Sequence, residues 1–419
     1  MHIQALASVV ALVSTLCSAR QFVEQRPLNA IDRSVSANKL SLTHDLIGFH
    51  KGLVEIESIT GNEQAVGEWL AASLQSQGYT VQKQYLSKDP VRFNVLAWPG
   101  SQRDVKVLLS SHIDTVPPFI PYKFEKFADN NTISGRGSVD AKGSVAAQVI
   151  AVNNLLAASK INADDVAVLY VIGEETGGDG MKAANSLGLR PHSIIFGEPT
   201  ERKLVSGHKG VMHVTIHAKG RAAHSGYPWL GRSANEVLVA ALAPIRTLGD
   251  DLPQSDKYGK TTLNIGKISG GVAGNVVAES ALAEIVVRIA AGTPKEVLAS
   301  ITKTVHRAVR PFLSGPEGCD ESREHLRPED VVEIAASDSA YGPVDLEHDV
   351  PGFDVIPVNY GTDVPNWKVS REGQRRYLYG PGTIFVAHSD HEALTEKELF
   401  DSVEGYERIL LFALENEAN

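Results

Sequence analysis

Five separate segments of the chain place acidic or histidine side chains directly after apolar runs that read as strands. They are His112 in S-S-H-I-D, Asp140 in G-S-V-D-A-K-G, the pair Glu174-Glu175 in V-I-G-E-E-T, Glu198 in I-I-F-G-E-P-T, and His388 in F-V-A-H-S-D-H-E. Residues at the carboxyl ends of strands in an open α/β sheet face the crevice where such folds bind ligands. Two imidazoles and three carboxylates suit a pair of zinc ions, and a fourth carboxylate is then left to move protons.

Each segment alone has a plainer reading. His112-Ile-Asp114 fits a metal ligand whose second ring nitrogen is held by the Asp114 carboxylate, and equally a surface His beside a loop Asp. Asp140 lies between a glycine turn, Gly135 to Gly137, and a helix start, so it reads as a helix cap, a bridging ligand, or both. Glu174 and Glu175 repel each other and give a core strand nothing, which favours one as ligand and its neighbour as base over a solvated pair. Glu198 ends another apolar run between Gly197 and Pro199. His388 follows Ile384 to Ala387 in the same manner, with His391 as the competing imidazole. The H-E-x-x-H spacing of a mononuclear site is absent.

The elements that must position these residues alternate. A helical pattern covers 42 to 57, and a second helix, capped by Gly61-Asn62, runs to Ser76. Strands are expected at 81–85, 94–97, 105–110, 166–172 and 193–196, with a small-residue helix from Ala141 to Ser159. Strands alternating with helices predict an α/β fold with a mostly parallel sheet. Near Ser206 the pattern changes. Strands at 211–218, 261–268 and 276–289 interleave with helices at 233–248 and 294–309, the second opened by Thr293 and Pro294. That run predicts a smaller α+β lid inserted into the larger domain. The α/β pattern is expected to resume at 331–335 and 355–358, and a helix from 394 to 415, capped by Thr395 with Glu398, closes the chain. The expected boundaries are a leader at 1–19, catalytic parts at 40–206 and 314–419, and the lid at 207–313.

Composition sets limits. The 419 residues are 43% hydrophobic and 21% charged, which supplies a large core and about two domains. A net charge of −10 without a basic cluster argues against nucleic-acid binding. The apolar stretch from Ile3 to Leu16, ending in small residues, reads as a secretory leader cleaved near Ala19, and it is shorter than the roughly 20 residues of a membrane span. Cys17 falls in that leader, so Cys319 would be alone in the mature chain and no intramolecular disulfide is expected. Asn130-Asn131-Thr132 is a glycosylation acceptor that agrees with an extracellular location.

Together the five segments resemble the zinc-dependent peptidase family that contains aminoacylase, glutamate carboxypeptidase and acetylornithine deacetylase, over nearly the whole mature chain. The resemblance implies that His112, Asp140, Glu175, Glu198 and His388 hold two zinc ions, with Asp140 bridging and Glu174 as general base. Glu392, four residues after His388, completes the last motif, which His391 does not fit. The resemblance also implies substrate contacts from the lid: His224 in A-H-S, often across a dimer, Asn275 after Gly270-Gly271, and Arg288 for a substrate carboxylate. The sequence departs from the family pattern at Val286 and Ala278.

The charges agree with that assignment. Two zinc ions are offset by Asp140, Glu175, Glu198 and one hydroxide, so a substrate carboxylate needs a separate cation, for which Arg288 is the candidate. The expected function is a secreted dinuclear zinc exopeptidase that cleaves an amide bond beside a free carboxylate, using hydroxide and Glu174 as base. The alternative is an N-acyl amino acid deacylase. A binding protein on the same fold is the alternative of another class, and such a chain would be expected to lack ligands or base.

Overall fold

The computed structural model describes residues 46–128, 130–314 and 326–416. The leader at 1–19, the arm at 20–40, Cys17 and Cys319 lie outside the described residues. Among those described, no helix is long and apolar enough to cross a membrane.

The main sheet has six strands in the order Thr80–Lys88, Val91–Trp98, Val166–Val171, Val107–His112, Ser193–Gly197 and Arg375–Tyr379. The first two pairings are antiparallel and the other three parallel. Val107–His112 and Val166–Val171 are buried at every position, as continuous apolar runs covered on both faces should be. Their side chains alternate between two cores. Val107, Leu109, Val166, Val168 and Tyr170 pack with residues of the helices Gln64–Ser76, Lys142–Ala157 and Glu396–Glu415. Leu108, Ala167, Leu169 and Val171 meet Met181 of the short helix Asp179–Ala184 and Val205, Val344 and Val358 of a three-stranded sheet. The small-residue helix Lys142–Ala157 comes very close to the sheet: a Cβ on Gly197 would lie 2.6 Å from Ser144 Cβ. The strand that leads to Glu198 can therefore sit there only with glycine at 197.

The lid is a four-stranded antiparallel sheet in the order Thr262–Gly270, Ser280–Ile289, Gly210–Lys219, Val332–Ala336. Its helices, Ala234–Leu248 and Pro294–Ala308, cover one face. Met212, Val214, Ile216, Ala283, Ile285 and Val287 fill the core beneath them, which leaves Val211, His213 and Arg288 on the opposite face. Ser233 accepts the Glu236 amide at the start of the first helix, and Thr293 and Glu296 form a reciprocal cap on the second.

Several expectations need correction. Val332–Ala336 does not resume the α/β domain; it pairs with Gly210–Lys219 as an edge of the lid sheet, so the lid sheet extends beyond residue 313. Its alternating burial suits a sheet with one solvated face. The strand expected from 276 begins at Ser280. Ile384 to Ala387 is a turn rather than a strand. Asp140 does not cap the helix that follows it: the cap position is Ala141, with no side-chain bond.

Candidate active site

Three neighbouring parallel strands end at one edge of the main sheet. His112 closes the central one, opposite Val171 in register. Glu174 and Glu175 follow Val171 through a turn at Gly173, whose φ of +75° suits glycine. Glu198 follows Gly197 on the other side. Asp140 arrives from the loop before helix Lys142–Ala157, and His388 from a turn before the last helix, with φ at +63°. A non-glycine residue there is strained, as functional residues often are.

The donor atoms converge. His112 Nε2 is 3.1 Å from Asp140 Oδ1 and 4.0 Å from Glu198 Oε2. His388 Nε2 is 3.2 Å from Asp140 Oδ2 and 3.0 Å from Glu175 Oε2. Asp140 thus turns one oxygen to each imidazole. One ligand atom each from His112, Asp140 and Glu175 lie within 4.8 Å of one another. The backbone carbonyl of Asp114 accepts from His112 Nδ1 at 3.0 Å, so that nitrogen carries a proton and Nε2 is the one turned to the cluster. His391 is turned away, exposed and beside Asp390.

Asp114 acts differently from the expectation. Its nearest carboxylate oxygen is 3.6 Å from His112 Nδ1, too far for a good hydrogen bond. That carboxylate instead accepts the backbone amides of Glu174 at 3.1 Å and Glu175 at 3.2 Å, and the Thr60 hydroxyl at 2.7 Å. It organises the turn that presents the two glutamates.

The electrostatics show a site short of positive charge. Burial and the neighbouring Glu198 push the Glu174 carboxyl well above its ordinary range. Burial and Asp140 raise Glu175. Hydrogen bonds to Asp140 and Glu175 raise the His388 imidazole to about 10. Burial works against a charge on His112, yet the surrounding carboxylates still lift its affinity for a proton well above normal. Two imidazole nitrogens and the carboxylate oxygens they face, brought together in one cleft, form a donor set that fits divalent metal ions, which would take the place of the protons on those nitrogens.

The cleft, about 440 Å³ in volume, is walled on its far side by Val211, His213 and Arg288 of the lid, with Tyr341, Tyr360 and Thr362 between. Arg288 has no carboxylate partner among the described residues. Position 361 is glycine where a Cβ would lie 3.3 Å from Arg288 Nη1, so the loop comes close to the guanidinium. The sequence reading missed Tyr341, Gly361, Thr362 and His213, which carry no spacing signal; Gly361 in the Y-G-T-D turn was the one available hint. His224 and Asn275 are not brought to this cleft. Both are exposed in lid loops joined by the Ser225 amide to the Asn275 carbonyl, at 3.1 Å. Asn130 is half-buried and does not line the cleft; its neighbour Asn131 donates to Glu396.

A family model described as a peptidase dimerisation domain matches residues 206–312. A probable carboxypeptidase of Arthroderma otae is 45% identical, across 97% of this chain and 98% of its own. Another, from Aspergillus niger, is 46% identical across 93% of this chain and 94% of its own. The chain belongs to the M20 peptidase family. A Staphylococcus aureus tripeptidase shares the M20 fold with a TM-score of 0.72 at 22% identity, covering 89% of this chain and 99% of that one. An M20 family metallo-carboxypeptidase from Sulfolobus solfataricus does so with a TM-score of 0.63 at 17% identity, over 88% and 99%. As an M20 peptidase the protein is a metallo-hydrolase, with a catalytic α/β sheet and a dimerisation lid.

Proposed function

We propose that this M20 peptidase is a secreted dinuclear zinc exopeptidase of the carboxypeptidase type, hydrolysing an amide bond next to a free carboxylate. The observation that carries the reading is Arg288: a guanidinium without a carboxylate partner among the described residues opens onto the same cleft as the acidic cluster. Arg288 is half-buried on the cleft wall, and a substrate carboxylate there would pair with it through a charge-assisted hydrogen bond. The relatives from Arthroderma otae and Aspergillus niger, both probable carboxypeptidases, point the same way.

His112, Glu198 and one oxygen of Asp140 would hold one ion; His388, Glu175 and the other oxygen would hold the second. Zinc suits such nitrogen and oxygen donors, and when bound it would supply Lewis acidity that polarises the scissile carbonyl and acidifies water. Glu174 is the carboxylate left over. Its raised affinity for a proton suits taking one from water and returning it to the leaving nitrogen. Arg288 would orient the substrate, and the Val211, Tyr341 and Tyr360 wall would limit water around it.

The dimerisation lid supports a homodimer. His224 and Asn275, turned away from their own cleft, are then candidates to serve a partner's. The leader-like residues 3–16 and the acceptor at Asn130 support export and glycosylation.

The test is hydrolysis of dipeptides, carboxyl-amidated peptides and N-acetyl amino acids by wild type and by Glu174→Ala, with zinc content measured in both. The reading expects free-carboxyl peptides to be cleaved and amidated ones spared, with turnover lost and zinc kept in Glu174→Ala. Preference for N-acetyl amino acids would make the enzyme a deacylase instead. Unchanged turnover in a zinc-loaded Glu174→Ala would remove Glu174 as base.

A further inference from the structure

Glu392 is buried, and its carboxylate turns away from the cleft. Oε1 accepts three amides from one loop: Gly137 and Val139 at 3.0 Å and Asp140 at 3.1 Å. Oε2 accepts from Arg136 Nη1 at 2.6 Å, an ion pair with both side chains enclosed. The Glu392 carbonyl accepts the Gly135 amide at 3.2 Å and the Ser138 hydroxyl at 3.4 Å. Each residue from Gly135 to Asp140 is therefore tied to Glu392.

Four residues earlier stands His388. Its side chain is 52% exposed, and only Nε2 has partners among the described residues. A metal-binding imidazole usually has its other nitrogen fixed by a hydrogen bond, as His112 does here. His388 lacks that support, so its position depends on the backbone that leads to it, and Glu392 is the buried anchor nearest to it. The same anchor fixes the loop that carries Asp140. The 3.2 Å approach of His388 to Asp140 thus spans two segments that Glu392 joins.

We propose that Glu392 is a positioning residue that sets the spacing between the two metal positions, by fixing the Asp140 loop to the His388 turn. This rests on the metal-site reading above. A carboxylate is required because only donors converge on it; a glutamine would point its own N–H at either the loop amides or Arg136.

The test compares wild type, Glu392→Gln and Glu392→Asp. It measures zinc affinity by competition with a chromophoric chelator, the absorption spectrum of the cobalt-loaded protein, and melting of the metal-free protein. The expected result is a folded metal-free Glu392→Gln whose zinc affinity at one or both sites falls about 10–100-fold, with an altered cobalt spectrum. Glu392→Asp, which keeps the charge on a shorter arm, should fall between the two. Wild-type zinc affinity and cobalt spectrum in Glu392→Gln, with only the melting temperature lowered, would overturn the proposal. So would failure of both variants to fold, which would make the residue purely structural. A wild type that bound no zinc would instead bring down the metal-site reading, so the two failures are distinguishable.

Discussion

The Asp114 carboxylate accepts the backbone amide of Glu174, Oδ1 to N, at 3.1 Å. A residue two positions beyond His112 therefore sets where the Glu174 backbone sits, while its own carbonyl sets the tautomer of His112. One short loop thereby aligns the proposed metal-donor nitrogen of His112 with the proposed proton carrier Glu174.

Replacing Asp114 by Asn should reduce catalysis without unfolding the protein. The new amide group would face an N–H of Glu174 or Glu175 instead of accepting it. Loss of such an outer hydrogen bond costs about 10–100-fold, and kcat should bear it, because Arg288, the proposed substrate contact, is untouched. Steady-state kinetics with a cleaved dipeptide would check this; an unchanged kcat would show that the glutamate turn does not need the carboxylate.

Arg288→Met should act on binding. Hydrogen bonds to charged groups contribute about 1.5–3 kcal/mol, which is about 10- to 100-fold in affinity. KM for free-carboxylate peptides should rise by that factor, and the preference over amidated peptides should vanish. A retained preference would place carboxylate recognition elsewhere.

Two buried histidines predict acid sensitivity. Burial lowers both His50 and His208 to about 4 from 6.5. His50 donates to the Ser138 carbonyl at 3.0 Å, and His208 donates to the Lys209 carbonyl at 2.9 Å and faces the Thr362 hydroxyl. Between the two pKa values the unfolded chain binds more protons than the folded one, so stability falls as pH drops from 6.5 toward 4. Above that window neither imidazole is charged and no such penalty applies. Each contributes a loss of about 3 kcal/mol when the window is crossed. Denaturant unfolding at about pH 7 and about pH 4.5 should show a smaller acid loss in His50→Gln than in wild type. Equal losses would mean that His50 is not held neutral.

The main-sheet strands could be read from sequence because they are buried on both faces, so their apolar runs are continuous. The convergence of His112, Glu174, Glu175 and Glu198 followed from strand order, since adjacent parallel strands end together. His388 was reached by residue type despite a wrong element: Ile384 to Ala387 is apolar but bends beyond Gly380-Pro381-Gly382, where a strand cannot continue. The sheet that takes Val332–Ala336 is not legible in sequence, because a five-residue alternating run fits either sheet until its partner is known. The role of Asp114 was hidden because H-x-D spacing does not reveal which of its oxygens reaches the ring. The wall around Arg288 was hidden too, since Tyr341, Gly361 and Thr362 come from irregular loops brought near by folding alone.

The most direct test is anomalous diffraction at the zinc absorption edge from crystals of the zinc-loaded protein. The account predicts two peaks about 3.5–4 Å apart, the spacing of two-metal sites. One should lie by His112 and Glu198, the other by His388 and Glu175, with Asp140 between them. A single peak, or none among these residues, would contradict it.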